Sequence, residues 1–534
     1  MGLVGAALVW QTTLPGVGLS PDSVAYVAGA RWALAGEGVR SLEGGPLIHF
    51  PPFYPLTLAA AAWVSRTDPL EAARWFNAIL FAGLLGLGGL LAARIGRRPA
   101  AGVVAAFLLL VSKDTVLLHA MAWSEPLAIA FGMGGLALVA YHLETGRMPA
   151  LLLAAIGLGL APLTRYAGVA YAVAGVLGLL LLDTTTAQPR RTGKVVLVAL
   201  LSAAPLILWW RLAGAQVGLA DRTINYHPLT SWDLAKMRGA VLGWITPPNV
   251  SPWLSGVSLG LLTLGLGGWA LRRPASEARA PDSPLALLLL LFAAVYVAFV
   301  VGCRMVVDAA ILLDARILAP VQVALVIACA GIAGQWLRDP VSPRSQLTLA
   351  AAVLALGAAH ATATARWVRT ARTDGLVFTK RSVRESALLN RIRAIPMDAL
   401  IWSNAPDVVY IHTGRCARWL PWRLRPESGR PEPGFASDWQ SFLDQPRAYV
   451  AWFDAFTWRS YLPTETELSQ APTVAQVASL DDGTLYRIES SAGKPFQGPG
   501  GFACPPPPAP RRGEIAASPV FSDCPETRCR LCIR

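Results

Sequence analysis

Long apolar segments constrain the fold of this 534-residue chain more than any other feature. A membrane-spanning helix needs about 20 predominantly apolar residues to cross a hydrocarbon core about 30 Å thick. Hydrophobic residues make up 54% of the chain and charged residues 15%, and the mean hydropathy is +0.46, values too apolar for an ordinary soluble protein of this size. The pattern predicts a polytopic α-helical membrane protein. Segments near spanning length lie at 75–93, 100–118, 126–141, 195–210, 253–271, 285–301, 317–337 and 347–363.

Three further segments bring the prediction to about 11 transmembrane helices. Two shorter apolar runs, 150–163 and 166–182, flank Arg165, and the first rises only about 21 Å at 1.5 Å per residue. Residues 1–19 form the weakest span because Gln11, Thr12, Thr13 and Pro15 interrupt it. No basic region precedes this span and no small-residue cleavage site is evident before Pro21, so the sequence favours a retained helix over a cleaved signal peptide.

Basic residues indicate the orientation of these spans, because lysine and arginine are enriched in cytoplasmic loops. The sequence therefore predicts a multi-pass protein of the plasma membrane, with the N-terminus inside and both residues 20–70 and the C-terminal domain outside. Because these basic residues lie in the loops between spans and do not form one continuous basic surface, nucleic acid is not expected as a partner. The basic residues occupy alternate short loops, at Arg94, Arg97, Arg98, Arg147, Arg190, Arg191, Lys194, Arg272, Arg273, Arg279, Arg338 and Arg344.

Beyond the spans, the chain divides into three predicted parts. Residues 1–365 form the transmembrane domain, with an external loop at 20–70. Residues 366–490 form a small external α/β domain, because the segment around 380–395 has helical spacing while ALIWS, RAYVAWF and TLYRIE are typical of short strands. Residues 491–534 are rich in glycine and proline and lack apolar periodicity, so a disordered tail is expected.

Seven cysteines give little support for a disulfide framework. Cys303 and Cys329 lie in or near spans, and Cys416 stands alone in the external domain. The tail ends in a Cys-x-x-Cys pair, Cys529 and Cys532, a spacing that can bind metals. No histidine accompanies it, so no metal site is assigned.

Two carboxylates at predicted external helix starts are the candidate catalytic residues. Ser20 can cap a helix with Pro21 at its first position, which places Asp22 in the first turn. Glu125, between a serine and a proline, begins a second helix in the same way. Either acid could simply complement the helix dipole. The alternative is a catalytic role, in which the acid is a general base.

Four cationic residues near the same predicted level are candidates for substrate binding. Arg165 and Arg316 lie at the outer ends of spans, where an ionisable group usually faces a cavity or a partner. Either arginine could hold a phosphate through fork-like hydrogen bonds or form an intramembrane ion pair. Lys113 could neutralise a phosphate, or its ammonium group could extend to water. His49 lies either at a substrate entrance or in a rigid aromatic turn.

The segments SPDSVAY, HFPPFYP, WSEPL, LTRYAG and DARILAP occur in an order that resembles the glycosyltransferase-C superfamily. The chain is most similar to the bacterial relatives of the protein O-mannosyltransferase and aminoarabinose-transferase group. The resemblance covers about residues 15–365. It implies transfer of a sugar from a polyprenyl-phosphate donor to an acceptor on the outer face, with membrane lipid and an envelope glycan, lipid or protein as partners.

In that family the first external loop carries the acidic catalytic residue, a position that Asp22 matches, and Glu125 matches a second acid. Many members have an adjacent acidic pair in the first loop, whereas Ser23 follows Asp22 here. No metal ligand is therefore assigned, and a divalent metal stays open as a cofactor.

Two other functions remain compatible with the sequence. A transporter or lipid-flipping protein also has many spans with ionisable residues, although its paired internal repeats are not evident here. A catalytically silent scaffold that binds envelope components is the third alternative.

Overall fold

The computed structural model describes residues 1–184, 186–217, 225–247, 283–336, 343–426, 428–489 and Pro505. The predicted span at 253–271 lies outside the described residues, and so does the predicted disordered tail apart from Pro505.

The described residues before about 375 are mainly helical, as the apolar segments predict. Each predicted span within the described residues contains a helix, but the predicted span at 1–19 is helical only over Gly2–Thr12. The helices are α1 (Gly2–Thr12), α2 (Pro21–Leu34), α3 (Phe53–Ser65), α4 (Pro69–Gly96), α5 (Pro99–Val111), α6 (Lys113–Ala120), α7 (Glu125–Thr145), α8 (Met148–Thr164), α9 (Val169–Leu182), α10 (Gln188–Val217), α11 (Ser231–Ile245), α12 (Pro284–Val306), α13 (Ala319–Trp336) and α14 (Pro343–Asp374).

Four helices among the described residues are long and apolar enough to cross a membrane, namely α4, α7, α12 and the segment Gln188–Ala213 of α10. The predicted span at 100–118 differs from a single helix, because α5 and α6 meet at a bend of 64°. The bend lies at Ser112, and Thr115 stabilises it by donating its hydroxyl to the carbonyls of Leu109 and Ser112. If this pair is one span, the number is five. The total of about 11 stays a prediction.

The C-terminal part of the chain is a small mixed α/β unit. Its five strands, β1 (Ile401–Ser403), β2 (Arg418–Trp419), β3 (Pro446–Phe453), β4 (Val474–Leu480) and β5 (Gly483–Glu489), form one sheet in the order β2-β1-β3-β5-β4. Strands β2, β1 and β3 are parallel, and β5 pairs antiparallel with β3 and β4. Its helices are α15 (Arg381–Arg384), α16 (Ala387–Arg393), α17 (Pro406–Thr413), α18 (Phe435–Leu443) and α19 (Glu465–Ser469).

The two faces of this sheet bury different apolar clusters. The distal face packs on α18 and α19 through residues such as Trp402, Phe442 and Leu468. The other face shares one continuous core with the first loop of the helical part, in which Leu19 and Tyr26 lie with Phe378 and Leu388. The first loop and the C-terminal unit are therefore packed as one body.

Cys416 is disulfide-bonded, and Cys329 carries a free thiol. The low expectation of disulfides did not anticipate this bond, because Cys416 is the single cysteine in residues 366–490 and no nearby cysteine indicates a partner.

Candidate active site

The helix α2 places Asp22 as the sequence predicts. The N–H of Ser23 donates to the hydroxyl of Ser20, which is the N-cap, at 3.4 Å, and Pro21 is the first helical residue. A serine hydroxyl in this position satisfies one of the free N–H groups of the first turn. Asp22 therefore sits in the first turn, at the positive end of the helix dipole.

A short backbone bridge sets the starts of α2 and α7 side by side. Gly18 and Met121 form a parallel bridge. The N–H of Gly18 donates to the carbonyl of Ala120 at 2.8 Å, and the N–H of Ala122 donates to the carbonyl of Gly18 at 2.9 Å. Because each helix begins a few residues after this bridge, Glu125 in the first turn of α7 lies at the same level as the start of α2.

Side chains between the two helix starts reinforce this arrangement. The indole N–H of Trp123 donates to the hydroxyl of Ser20 at 2.8 Å. The hydroxyls of Tyr26 and Ser124 are hydrogen-bonded at 3.0 Å. The guanidinium of Arg316 lies 4.0 Å from the centroid of the Trp123 ring, so the indole contacts both the α2 cap and a candidate substrate-binding residue.

Arg316 joins the two acids directly. Its Nη2 lies 2.6 Å from Oδ2 of Asp22, and its Nε lies 2.5 Å from Oε1 of Glu125. The carboxylate of Asp314 fixes the turn that presents this arginine, since its Oδ1 accepts the N–H groups of Arg316 and Ile317 at 3.0 and 3.1 Å.

Arg165 reaches Glu125 from the junction of α8 and α9. Its Nη1 lies 3.2 Å from Oε1 of Glu125. The chain leaves α8 here in an extended conformation and turns at once, with the N–H of Gly168 donating to the carbonyl of Arg165 at 2.7 Å. A Cβ at Gly168 would lie 2.3 Å from the carbonyl carbon of Ala161. Only glycine allows a turn this close to the helix.

The structure thus brings together Asp22, Glu125, Arg165 and Arg316, which we call the acid–arginine cluster. The side chain of Glu125 is 1% exposed, whereas those of Arg165, Arg316 and Asp22 are 18%, 20% and 28% exposed. Two carboxylates and two guanidinium groups make the cluster formally neutral. Burial raises the pKa of Asp22, but the charges of Arg316 and Arg165 outweigh burial, and the pKa lies below its usual value. Asp22 is therefore ionised at neutral pH.

The other two predicted substrate-binding residues lie on the first loop and on α6. His49 is exposed on the first loop and its ring packs edge-to-face on Phe50, with centroids 4.6 Å apart. Its charge adds to the lowering of the pKa of Asp22. Lys113 is the first residue of α6 and is half-buried next to Asp114. Within the described residues, the recorded contacts do not link Lys113 to the cluster.

Sequence reasoning missed Trp123, Tyr26 and Ser124, whose only signal was their position inside the motifs WSEPL and SPDSVAY. Among the residues that the structure describes, no group of three or more His, Cys, Asp and Glu side chains is spaced to hold a metal ion. The carboxylates of Asp22 and Glu125 share Arg316 instead.

Comparison with known proteins supports the resemblance inferred from the motifs. Residues 39–219 match the family model of dolichyl-phosphate-mannose-protein mannosyltransferases. A search of curated proteins finds no significant match.

Solved structures match over most of the chain. The structure of ArnT from Cupriavidus metallidurans bound to undecaprenyl phosphate has a TM-score of 0.61 and 14% identity, covering 92% of this chain and 98% of that chain. The apo state of the same protein matches with a TM-score of 0.61 and 15% identity, over the same shares of the two chains. The archaeal oligosaccharyltransferase AglB from Archaeoglobus fulgidus, in complex with an inhibitory peptide and a dolichol-phosphate, matches with a TM-score of 0.52 and 13% identity. The match covers 85% of this chain and 69% of that chain. The resemblance to the glycosyltransferase-C superfamily is confirmed, with an ArnT-like fold.

Proposed function

We propose that this chain is a membrane glycosyltransferase that transfers a sugar from a polyprenyl-phosphate donor to an acceptor on the outer face of the membrane. The acid–arginine cluster carries the proposal, because it places an ionised carboxylate beside two guanidinium groups in a half-buried site. The matched mannosyltransferase family and an ArnT structure bound to undecaprenyl phosphate support this class of donor.

In the proposed reaction, an acceptor hydroxyl attacks the anomeric carbon of the sugar. The new bond forms between the acceptor oxygen and that carbon, while the bond from the carbon to the phosphate oxygen breaks and leaves its electron pair on the lipid phosphate. The carboxylate of Asp22 accepts the hydroxyl proton as the bond forms. A single displacement of this kind inverts the anomeric centre.

The leaving group needs no general acid, because a phosphate is already a good leaving group. Its growing negative charge is stabilised by arginine N–H groups held in a site largely removed from water. The recorded contacts occupy Nε and Nη2 of Arg316 and Nη1 of Arg165. The remaining N–H groups of both guanidiniums are proposed to hold the phosphate in fork-like fashion.

Glu125 keeps the two arginines in place. Its Oε1 lies within 3.2 Å of Arg165 and 2.5 Å of Arg316. Its Oε2 is buried and has no hydrogen-bond partner among the described residues. A buried acceptor oxygen without a partner is costly, so we propose that a substrate hydroxyl donates to it.

The proposed substrates are a hexosyl or pentosyl polyprenyl phosphate and an envelope glycan, lipid or protein acceptor. His49, exposed on the loop beside α2, is proposed to contact substrate at the entrance, and Lys113 to contact the lipid phosphate.

The outward orientation of this site is part of the proposal. The disulfide at Cys416 supports it, because disulfides persist in oxidising compartments and are rare in the cytosol.

Substitution of the base tests the proposal in the full-length protein reconstituted with a polyprenyl-phosphate sugar. Asp22→Asn should lower the transfer rate by about 100-fold or more, the range that a general base contributes. Asp438→Asn, on the exposed surface of α18, should leave the rate unchanged. Unaltered transfer by Asp22→Asn would exclude the base role, and donor translocation without transfer would favour the transporter.

A further inference from the structure

The C-terminal end of α2 is tied to two other parts of the molecule by one buried arginine. Arg31 is 4% exposed. Its Nε and Nη2 donate to the two carboxylate oxygens of Asp68, both at 3.0 Å, and its Nη1 donates to the hydroxyl of Tyr410 at 2.8 Å. Each partner belongs to a different element, since Asp68 caps α4 by accepting the N–H of Leu70 at 2.9 Å, and Tyr410 lies in α17.

The contact to Tyr410 crosses from the helical part to the C-terminal α/β unit. Tyr410 is fully buried, and the guanidinium of Arg31 lies 5.3 Å from the centroid of its ring. A buried guanidinium is tolerated only where good geometry satisfies its donors. Here all three of its nitrogens have partners.

The opposite end of α2 is held by the same unit through the backbone. Leu19, which precedes the α2 cap, forms a parallel bridge with Val377. The N–H of Phe378 donates to the carbonyl of Leu19 at 3.1 Å. The carbonyl of Phe378 in turn contacts Nε2 of His412, two residues after Tyr410, at 2.8 Å. Both ends of the helix that carries Asp22 therefore touch the α/β unit.

We propose that Arg31, Asp68 and Tyr410 form a clasp through which the C-terminal α/β unit positions α2, and with it Asp22, for transfer. The inference rests on the proposed function and assigns a role to the α/β unit. Arg31 follows Asp22 by nine residues, about 13 Å along a helix at 1.5 Å per residue. It touches no reacting atom, so it is a positioning residue.

A helix that loses one of the contacts at one end can shift about its other end. A shift of about 1 Å in a reacting group can lower a rate by about 100-fold. Asp22 also relies on its place beside Arg316, 2.6 Å away, because that contact holds its carboxyl group in the ionised form. Loosening the clasp should therefore change the rate of the chemical step more than the affinity for substrate.

Removal of one hydroxyl tests the clasp. Tyr410→Phe keeps the buried ring and deletes the hydroxyl that accepts from Arg31. It should lower kcat about three- to tenfold, with the donor KM within about twofold of wild type. Tyr486→Phe is the matched control, because Tyr486 is also buried in the α/β unit and its hydroxyl bonds Glu465 at 2.9 Å, away from α2. This control should leave kcat unchanged.

The pH profile and a second variant separate positioning from simple packing. In Tyr410→Phe the acidic limb of kcat should move to higher pH, because Asp22 loses part of its stabilisation by Arg316. Arg31→Lys keeps the charge but cannot make the two-pronged contact to Asp68, and it should reproduce both changes. If both variants keep the wild-type kcat and pH profile, the clasp is structural only and the proposal fails.

Amide hydrogen exchange tests the same idea without any activity. Exchange in residues 21–34 should be faster in Tyr410→Phe than in wild type and unchanged in Tyr486→Phe. Unchanged exchange in both variants would overturn the clasp even in an active enzyme. Conversely, an absence of transfer by the wild-type protein would overturn the proposed function, while faster exchange in Tyr410→Phe would still support the coupling of the α/β unit to α2.

Discussion

Asp22 can act as a base only while its carboxyl group is ionised, and its surroundings favour that form. Burial alone would raise its pKa, but the neighbouring guanidinium groups of Arg316 and Arg165 lower it below the usual value. A lowered pKa keeps the active form present above that value, and the form is lost as the pH falls through it.

The rate of transfer should therefore show no acidic limb near neutrality. We expect kcat to stay constant from about pH 7 to about pH 5 and to fall only at or below the ordinary aspartate range, near 3.9. The measurement is the initial rate at saturating donor across this range. A fall already complete by about pH 6 would mean that another group titrates, and an unchanged limb in Asp22→Glu would assign the titration elsewhere.

Arg316 contributes geometry as well as charge. Its Nε and Nη2 contact two different acids, at 2.5 and 2.6 Å. A lysine carries a single ammonium group and cannot reproduce this fork.

We expect Arg316→Lys to lower kcat/KM for the donor by about 10- to 100-fold, equal to about 1.4 to 2.7 kcal/mol. Arg381→Lys is the matched control, since Arg381 forms an exposed pair with Glu385, and such pairs contribute little. Equal kinetics in both variants would show that charge alone suffices at position 316.

At the scale of elements, the start of α2 is the feature that the sequence predicts best. Serine, proline and aspartate in succession determine the cap, the first turn and the position of the acid from local chemistry alone, and the structure agrees. The bridge between Gly18 and Met121 could not be predicted, because the two residues are far apart in sequence. The strand β2 was missed for another reason, because its two residues, Arg418 and Trp419, are too few to show a strand pattern.

The α2 cap offers a prediction that separates stability from activity. Ser20→Ala removes the cap and the acceptor of the Trp123 indole, so it should lower the free energy of unfolding by about 1 kcal/mol and also lower kcat. Thr464→Ala removes the capping box of α19, far from the cluster. It should cause a similar loss of stability with unchanged kcat. A loss of kcat in both variants, in proportion to their melting temperatures, would contradict a specific role for the α2 cap.

At the scale of the whole molecule, the candidate site is assembled from segments spread over almost 300 residues. The sequence places acids and arginines near helix ends, and positive charges in alternate loops indicate one common level. It does not indicate that Arg316 bridges Asp22 and Glu125, because that contact depends on how α2, α7 and the turn before α13 pack. The roles of these residues stay predictions, whereas the ArnT-like fold is shown by the structural match.

The predicted orientation can be tested with two introduced cysteines at exposed positions. Met397, 77% exposed in the α/β unit, is predicted outside, and Arg98, exposed at the start of α5, is predicted inside. In intact cells, a membrane-impermeant maleimide should label Met397→Cys above the wild-type background, and Arg98→Cys only after permeabilisation. The wild-type chain should gain label after reduction, because Cys416 is disulfide-bonded. The opposite pattern would place the acid–arginine cluster at the cytoplasmic face, where a donor presented on the outer leaflet could not reach Asp22.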